Sequence, residues 1–215
     1  MGESIFKFWA KVGPSEKVHP ADEQVLSHVD HGFDLTCLPG CFGGPLRTAP
    51  VVLLYLSPGW SKEDVILAKS KAHQQHYVRQ RRGWAPLPDS IEHAGAWRWW
   101  KSRTAIFGEW ADLRSKISTF NIGAYHSKVF VDAPLLAALP SSRVSLDWAQ
   151  NVLFPQAIAG KRIVICMRAA RFWGLQEGVR YGRSLYAPSV TRSGHMCLGE
   201  MRDQIIRAVR KTVVP

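Results

Sequence analysis

No apolar run in the chain approaches the roughly 20 residues that crossing a bilayer takes, so no membrane span is expected. The first residues, Met-Gly-Glu-Ser-Ile-Phe-Lys, contain no apolar signal core, and secretion is not expected either. Cysteine is scarce. Of Cys37, Cys41, Cys166 and Cys197, only the first two are close, in a C-x3-C spacing with no second tight pair. Structural zinc and iron–sulfur sites usually show two such pairs, so neither a metal nor another cofactor is expected. Cys166 sits inside Ile163-Val164-Ile165-Cys166-Met167, which suits a buried apolar thiol. Free thiols fit a reducing cytoplasm. Acidic residues are few, 17 Asp plus Glu against 28 Lys plus Arg, leaving a formal charge of +11. Internal repeats and low-complexity linkers are missing. So are Gly-x-Ser-x-Gly, Walker and Gly-x-Gly-x-x-Gly motifs, which removes the common signatures of α/β hydrolases, nucleotide triphosphatases and dinucleotide enzymes.

What remains is a chain of 215 residues, 46% hydrophobic and 21% charged, which suits one globular domain. A pI near 9.8 favours an anionic partner, nucleic acid being the commonest; a generally basic surface without a dedicated partner is the plainer alternative. Residues 1–46 read as an irregular extension with helical stretches near 3–11 and 21–29. The turn-rich segment from Leu38 to Pro45 reads as loop. Pro50 to Leu56 is a continuous apolar run, as in a strand buried on both faces of a parallel sheet. It stops at Ser57-Pro58-Gly59-Trp60. Ser61-x-x-Asp64 is a capping-box pattern opening a helix to about Gln80. A second helix start at Asp89 leads into Trp97, Trp99 and Trp100. Further strands are expected at Ile117–Ile122, Lys161–Met167 and Arg183–Tyr186, with an extended stretch at Lys128–Val131. Helices are expected at Leu146–Leu153 and Leu198–Val209. Strands alternating with helices predict an α/β fold of three layers around a central, mostly parallel four-stranded sheet. Ligands of such sheets bind beyond the carboxyl ends of the strands.

Those ends carry the chemically interesting residues. Pro58-Gly59 lets backbone approach a ligand closely, and free amides at the helix start that follows suit a phosphate or a developing anion. A plain strand-to-helix turn is the alternative reading. Asn121 presents donor and acceptor together, suited to a pyrimidine edge, or serves as a loop amide. Tyr125-His126-Ser127-Lys128 is the densest polar cluster, in which His126 suits orienting water or donating a proton. Lys62, Lys69, Lys71, Arg79, Arg81 and Arg82 concentrate positive charge and suit phosphate contact. The tryptophans that follow cannot all share one helix face; most suit the core, and one suits stacking on a base.

Four strand-end segments, in order, resemble the uracil-DNA glycosylase superfamily: Tyr55-Leu56-Ser57-Pro58-Gly59, Thr119-Phe120-Asn121-Ile122, Ile163 to Ala170, and Ala187-Pro188-Ser189 followed by Val190 to His195. The resemblance spans about residues 35–210. It implies a DNA glycosylase of a divergent branch, because Ser57 stands where the family has a water-activating acid or amide, and Ala187 where it has a histidine that stabilises the departing base. By the resemblance Ser57 and Asn121, and by its place in the polar cluster His126, are the catalytic candidates. Pro58, Gly59, Trp60, Tyr125, Ser127, Ala187 and Ser189 would line the base pocket. Lys62, Arg79, Arg81, Arg82, Arg192, Ser193 and His195 would contact DNA, the last three from a loop that wedges into the duplex. The two small replacements imply a pocket roomy enough for a bulky, hypermodified pyrimidine. Some relatives excise such bases from phage DNA in bacterial defence. The alternative is a DNA-binding or damage-sensing domain that kept the fold and lost the chemistry. A monomer is expected in either case.

Overall fold

The structure, a computed structural model, describes residues 4–130 and 133–213. Six strands form one sheet: β1 (Phe42–Gly43), β2 (Val51–Tyr55), β3 (Ile117–Asn121), β4 (Ile163–Cys166), β5 (Val179–Tyr181) and β6 (Leu185–Ala187). Their order is β1-β3-β2-β4-β6-β5. The four inner strands are parallel, and the two short edge strands run antiparallel to their neighbours. The sheet therefore has six strands, not the expected four. The turn-rich segment 38–45 was expected as loop, but Phe42 in it is apolar and buried, and pairs with Phe120. β5 has no continuous apolar signal because it covers an edge and is only half buried.

Among the described residues ten α-helices pack around the sheet: α1 (Ile5–Trp9), α2 (Pro20–His28), α3 (Lys62–Leu67), α4 (Lys71–Arg81), α5 (Ala94–Thr104), α6 (Trp110–Leu113), α7 (Ala133–Ala138), α8 (Pro140–Trp148), α9 (Phe154–Ile158) and α10 (Glu200–Val213). A π-helical turn at Ala149–Leu153 joins α8 to α9, and a 3₁₀ turn at Ala170–Trp173 follows β4. Successive side chains of a strand point to opposite faces. Val52, Leu54, Phe120, Val164 and Cys166 accordingly pack with α1, the π-helical turn and α9. Val51, Leu53, Tyr55, Ile117 and Ile165 pack with α6 and α10 on the other face. Both faces are covered by helices, which is why the inner strands read as unbroken apolar runs.

Several boundaries differ from expectation. The helix expected from Ser61 to Gln80 is two helices, because Ser70 interrupts it and caps α4 through its hydroxyl, which accepts from the His73 amide at 3.5 Å. Asp89 caps a turn, accepting from the amides of Ile91 and Glu92 at 3.0 Å, and α5 begins only at Ala94. The stretch expected as extended from Lys128 is not a strand through Phe130, and Val131 lies outside the described residues; single bridges at His126 and Ser127 stand just before it. No helix among the described residues is long and apolar enough to cross a membrane.

Candidate functional site

Because β2, β3, β4 and β6 are parallel, their carboxyl ends share one edge of the sheet. Tyr55 and Asn121 are register partners, so Ser57 and Asn121 follow from adjacent strand ends. The pairing continues beyond the strands: Ile122 and Gly123 donate to the carbonyls of Tyr55 and Leu56 at 3.3 and 2.8 Å. Ser189 lies on the same edge, two residues beyond β6 and exposed.

The 57–61 loop is tied down from the β3 side. Gly59 bridges to Ser127, and His126 Nδ1 donates to the Gly59 carbonyl at 2.6 Å. Trp60 Nε1 donates to Asp34 Oδ2 at 2.5 Å, and the Lys128 ammonium lies 4.3 Å from the Trp60 ring centroid. The expected capping box is present. Ser61 donates to Asp64 Oδ2 from its amide at 2.8 Å and its hydroxyl at 2.7 Å, and Asp64 N donates to Ser61 Oγ at 3.2 Å. A carboxylate thus occupies the start of α3, where an external phosphate was expected to bind.

Asp64 also reaches across to α5. His93 Nδ1 accepts from the Ala96 amide at 3.2 Å, so its proton is on Nε2, which donates to Asp64 Oδ1 at 2.8 Å. The second Asp64 oxygen lies 3.9 Å from His126 Nδ1. Burial works to raise the Asp64 pKa. The His93 hydrogen bond, nearby His126 and the Ser61 bonds outweigh it, and the carboxyl is held below its ordinary range. His126 shifts down because its burial outweighs Asp64 and the Gly59 and Leu38 carbonyls, all of which favour a proton. Its Nε2 is buried without a hydrogen-bond partner. The result is a carboxylate–bis-histidine cluster in which Asp64 is favoured as the ionised form and burial disfavours the charged form of His126. Three donors already engage Asp64, which suits it to positioning rather than to abstracting a proton.

Other expected site residues have different tasks. Tyr125 is buried and donates to Asp22 Oδ2 at 2.6 Å while accepting from the His19 amide at 3.1 Å, anchoring the N-terminal segment. Asn121 donates its amide to the Gly40 carbonyl at 2.7 Å, so that donor is already in use. Ala187 is fully buried in the apolar layer with Val164, Cys166 and Leu185, so the small side chain opens no space there. Arg81 is not a surface cation. It is 6% exposed and donates to the Gly13 carbonyl at 3.1 Å, whereas Lys62, Arg79 and Arg82 are exposed. Pro58, Gly59 and Trp60 are partly or wholly accessible, and Ser127 is buried.

The 190–196 loop is a tight hairpin. Val190 bridges to Met196, the Thr191 amide donates to the His195 carbonyl at 2.8 Å, and Gly194 turns the chain at φ 82°. Arg192, Ser193 and His195 are exposed on it. The loop rests on two side chains that sequence reading did not single out. Arg103 Nε of α5 donates to the Ser193 carbonyl at 3.0 Å, and Arg168, just past β4, donates to the Arg192 carbonyl. The position of Arg168 at a strand end was the available signal; nothing in the sequence pairs Arg103 with it.

A cleft of about 560 Å³ opens beyond β4, lined by Ala169, Ala170, Arg171, Leu175, Gln176 and Glu177; Ser57, Asn121 and Ser189, which as strand-end residues are expected to converge on one pocket, do not line it. All four cysteines are free, and no cluster of metal-ligating side chains occurs among the described residues. No protein-family model, curated protein or solved structure matches the chain.

Proposed function

We propose that the protein is a DNA glycosylase that receives a flipped, modified pyrimidine at the carboxyl edge of its parallel sheet. One observation carries this reading: all four segments that resemble the uracil-DNA glycosylase superfamily emerge on that edge, in adjacent or near-adjacent positions, with the hairpin 190–196 beside them. Extracting a base costs a few kcal/mol, which stacking and edge hydrogen bonds must offset. Trp60 and the Gly59 backbone are placed to contribute, and Ser57 is half buried beside them. With Asp64 saturated by donors, the chemistry this arrangement supports is electrostatic stabilisation of the leaving base rather than strong general-base catalysis. The preference for a bulky base, and with it a role in antiphage defence, rests on Ser57, since Ala187 is core.

The second reading is a DNA-binding or damage-sensing domain without excision. The engaged amide of Asn121 and the donor-saturated Asp64 favour it. An assay for abasic sites on DNAs carrying normal, deaminated and hypermodified bases separates the two. Base release from a modified-pyrimidine substrate supports the enzyme; salt-sensitive binding to every DNA with no abasic product supports the second reading.

A further inference from the structure

Arg103 and Arg168 come together from different elements, α5 and the turn after β4. A Cβ placed on Gly194 would lie 3.8 Å from Nε of each. Two guanidiniums gathered at one glycine repel each other, and an anion between them would relieve that repulsion. Yet their acceptors are neutral: the Ser193 carbonyl and the Ser102 hydroxyl for Arg103, and the Arg192 carbonyl for Arg168. No ion pair among the described residues involves either one. Each guanidinium has five N–H donors, so these bonds fix the two forks and leave donors over. Arg192 and His195 add exposed basic groups on the hairpin.

Aromatic surface adjoins the pair. Arg103 lies 4.9 Å from the Trp99 ring centroid, and Trp99 is 37% exposed. Trp99 and Trp100 both pack edge-on against Tyr55, at 5.3 and 5.4 Å. The Tyr55 hydroxyl, at the carboxyl end of β2, is buried with no hydrogen-bond partner, and both arginines act on it electrostatically. Trp97 and Trp100, in contrast, pack into the core.

We infer that Arg103 and Arg168 form a phosphodiester clamp for a nucleic-acid strand, with the exposed part of the Trp99 ring as the contact for an adjacent base. Guanidinium forks match the paired oxygens of a phosphodiester, and an aromatic face stacks on any base. The clamp lies on the face of the sheet covered by α5 and α10. The Lys62–Arg82 run lies on α3 and α4, where Arg81 is buried, so that run offers one cation fewer than its sequence suggests. This inference deepens the proposed function and rests on it for the identity of the strand.

The test measures binding of fluorescent single- and double-stranded oligonucleotides across a salt series, with inorganic phosphate and pyrophosphate as competitors. Losing one phosphate contact lowers the slope of log K against log salt by about 0.9 on duplex DNA and about 0.7 on a single strand. Arg103→Gln with Arg168→Gln is expected to lower the slope by about 1 to 2, and Arg103→Lys with Arg168→Lys to keep most of it. Trp99→Ala is expected to weaken binding roughly tenfold with the slope unchanged. Arg79→Gln with Arg82→Gln is expected to change the slope less than the Arg103/Arg168 pair does. Hydrogen exchange of the 190–196 amides reports whether the hairpin persists in each variant. An unchanged slope in the double glutamine variant, or equal loss in its lysine counterpart through a melted hairpin, overturns the clamp. Competition by free phosphate at the same concentration as by DNA phosphate assigns the site to small anions and also overturns it. Wild-type protein that binds no DNA defeats the proposed function itself, whereas binding and base release that ignore Arg103 and Arg168 defeat only the clamp.

Discussion

Asp64 shows how one side chain serves two helix starts. It completes the capping box of α3 and holds His93, which caps α5. Removing a cap costs about 1 kcal/mol, and a buried partner left unpaired adds about 1 to 3. Asp64→Ala is therefore expected to lower the unfolding free energy by about 2 to 4 kcal/mol in urea titrations, and Ser61→Ala by about 1. An equal effect of the two substitutions would show that the His93 contact contributes nothing. Arg81 illustrates the opposite case, a charge whose place in the sequence suggests one task and whose surroundings assign another. Its buried guanidinium reaches the Gly13 carbonyl, and burial lowers its pKa. Arg81→Ala is expected to lower stability by about 1 to 3 kcal/mol and to leave the salt dependence of DNA binding untouched, which denaturation and a salt series check together.

At the scale of elements, α4 carries His73 and His76 on its buried side, close to His93 of α5. Burial, then the neighbouring His93 and His76, lowers the His73 pKa to about 4, and burial lowers that of His76. A histidine whose folded pKa is depressed stays neutral in the fold but takes a proton when unfolded. The unfolded state then binds more protons between the folded value and the ordinary 6.5, so stability rises with pH through that window. His126, also lowered from 6.5 by burial, acts in the same window, whereas the stability held by Asp64, whose carboxyl lies below its ordinary 3.8, is lost only at lower pH. Melting temperature is expected to be flat above about pH 7 and to fall as pH drops from 6.5 towards 4; His73→Phe should flatten the curve. An unaltered pH dependence in that variant would remove His73 as a source. The inner strands were legible because burial on both faces leaves unbroken apolar runs such as Val51–Tyr55 and Ile163–Cys166. The capping box at Ser61 was legible because its chemistry is local. The break at Ser70 and the strand at Phe42 were not, since each depends on what packs from elsewhere in the chain. For the same reason His93, Arg103 and Arg168 were missed: their partners lie 24 to 90 residues away.

At the scale of the molecule, the sheet sorts two small residues at its strand ends, Ser57 and Ala187, into different environments. Ser57 stands at the open edge, half buried, in the loop pinned by His126 and the Asp64 cap. Ala187 stands inside the layer formed with Val164, Cys166, Leu185, Trp173 and Leu175, with no exposed surface. Forcing a large polar ring into a packed interior meets two penalties, overpacking of about 1 to 3 kcal/mol and an unsatisfied polar group of similar size. Ala187→His is therefore expected to lower stability by about 2 to 6 kcal/mol and, under the glycosylase reading, to confer no release of uracil. Ser57→Asn, at the accessible edge, is expected to cost less than about 1 kcal/mol. Under the glycosylase reading it adds an amide where the base enters, and should shift preference from bulky towards unsubstituted pyrimidines. Differences of one or two atoms in such a pocket are worth about 1 to 3 kcal/mol, or a change of roughly 10- to 200-fold in relative kcat/KM. Denaturation of both variants, with kcat/KM on a uracil and a hypermodified substrate, separates stability from selectivity. A Ser57→Asn protein that folds normally and keeps the wild-type ratio would show that Ser57 does not border the base, and the bulky-substrate reading would fall with it.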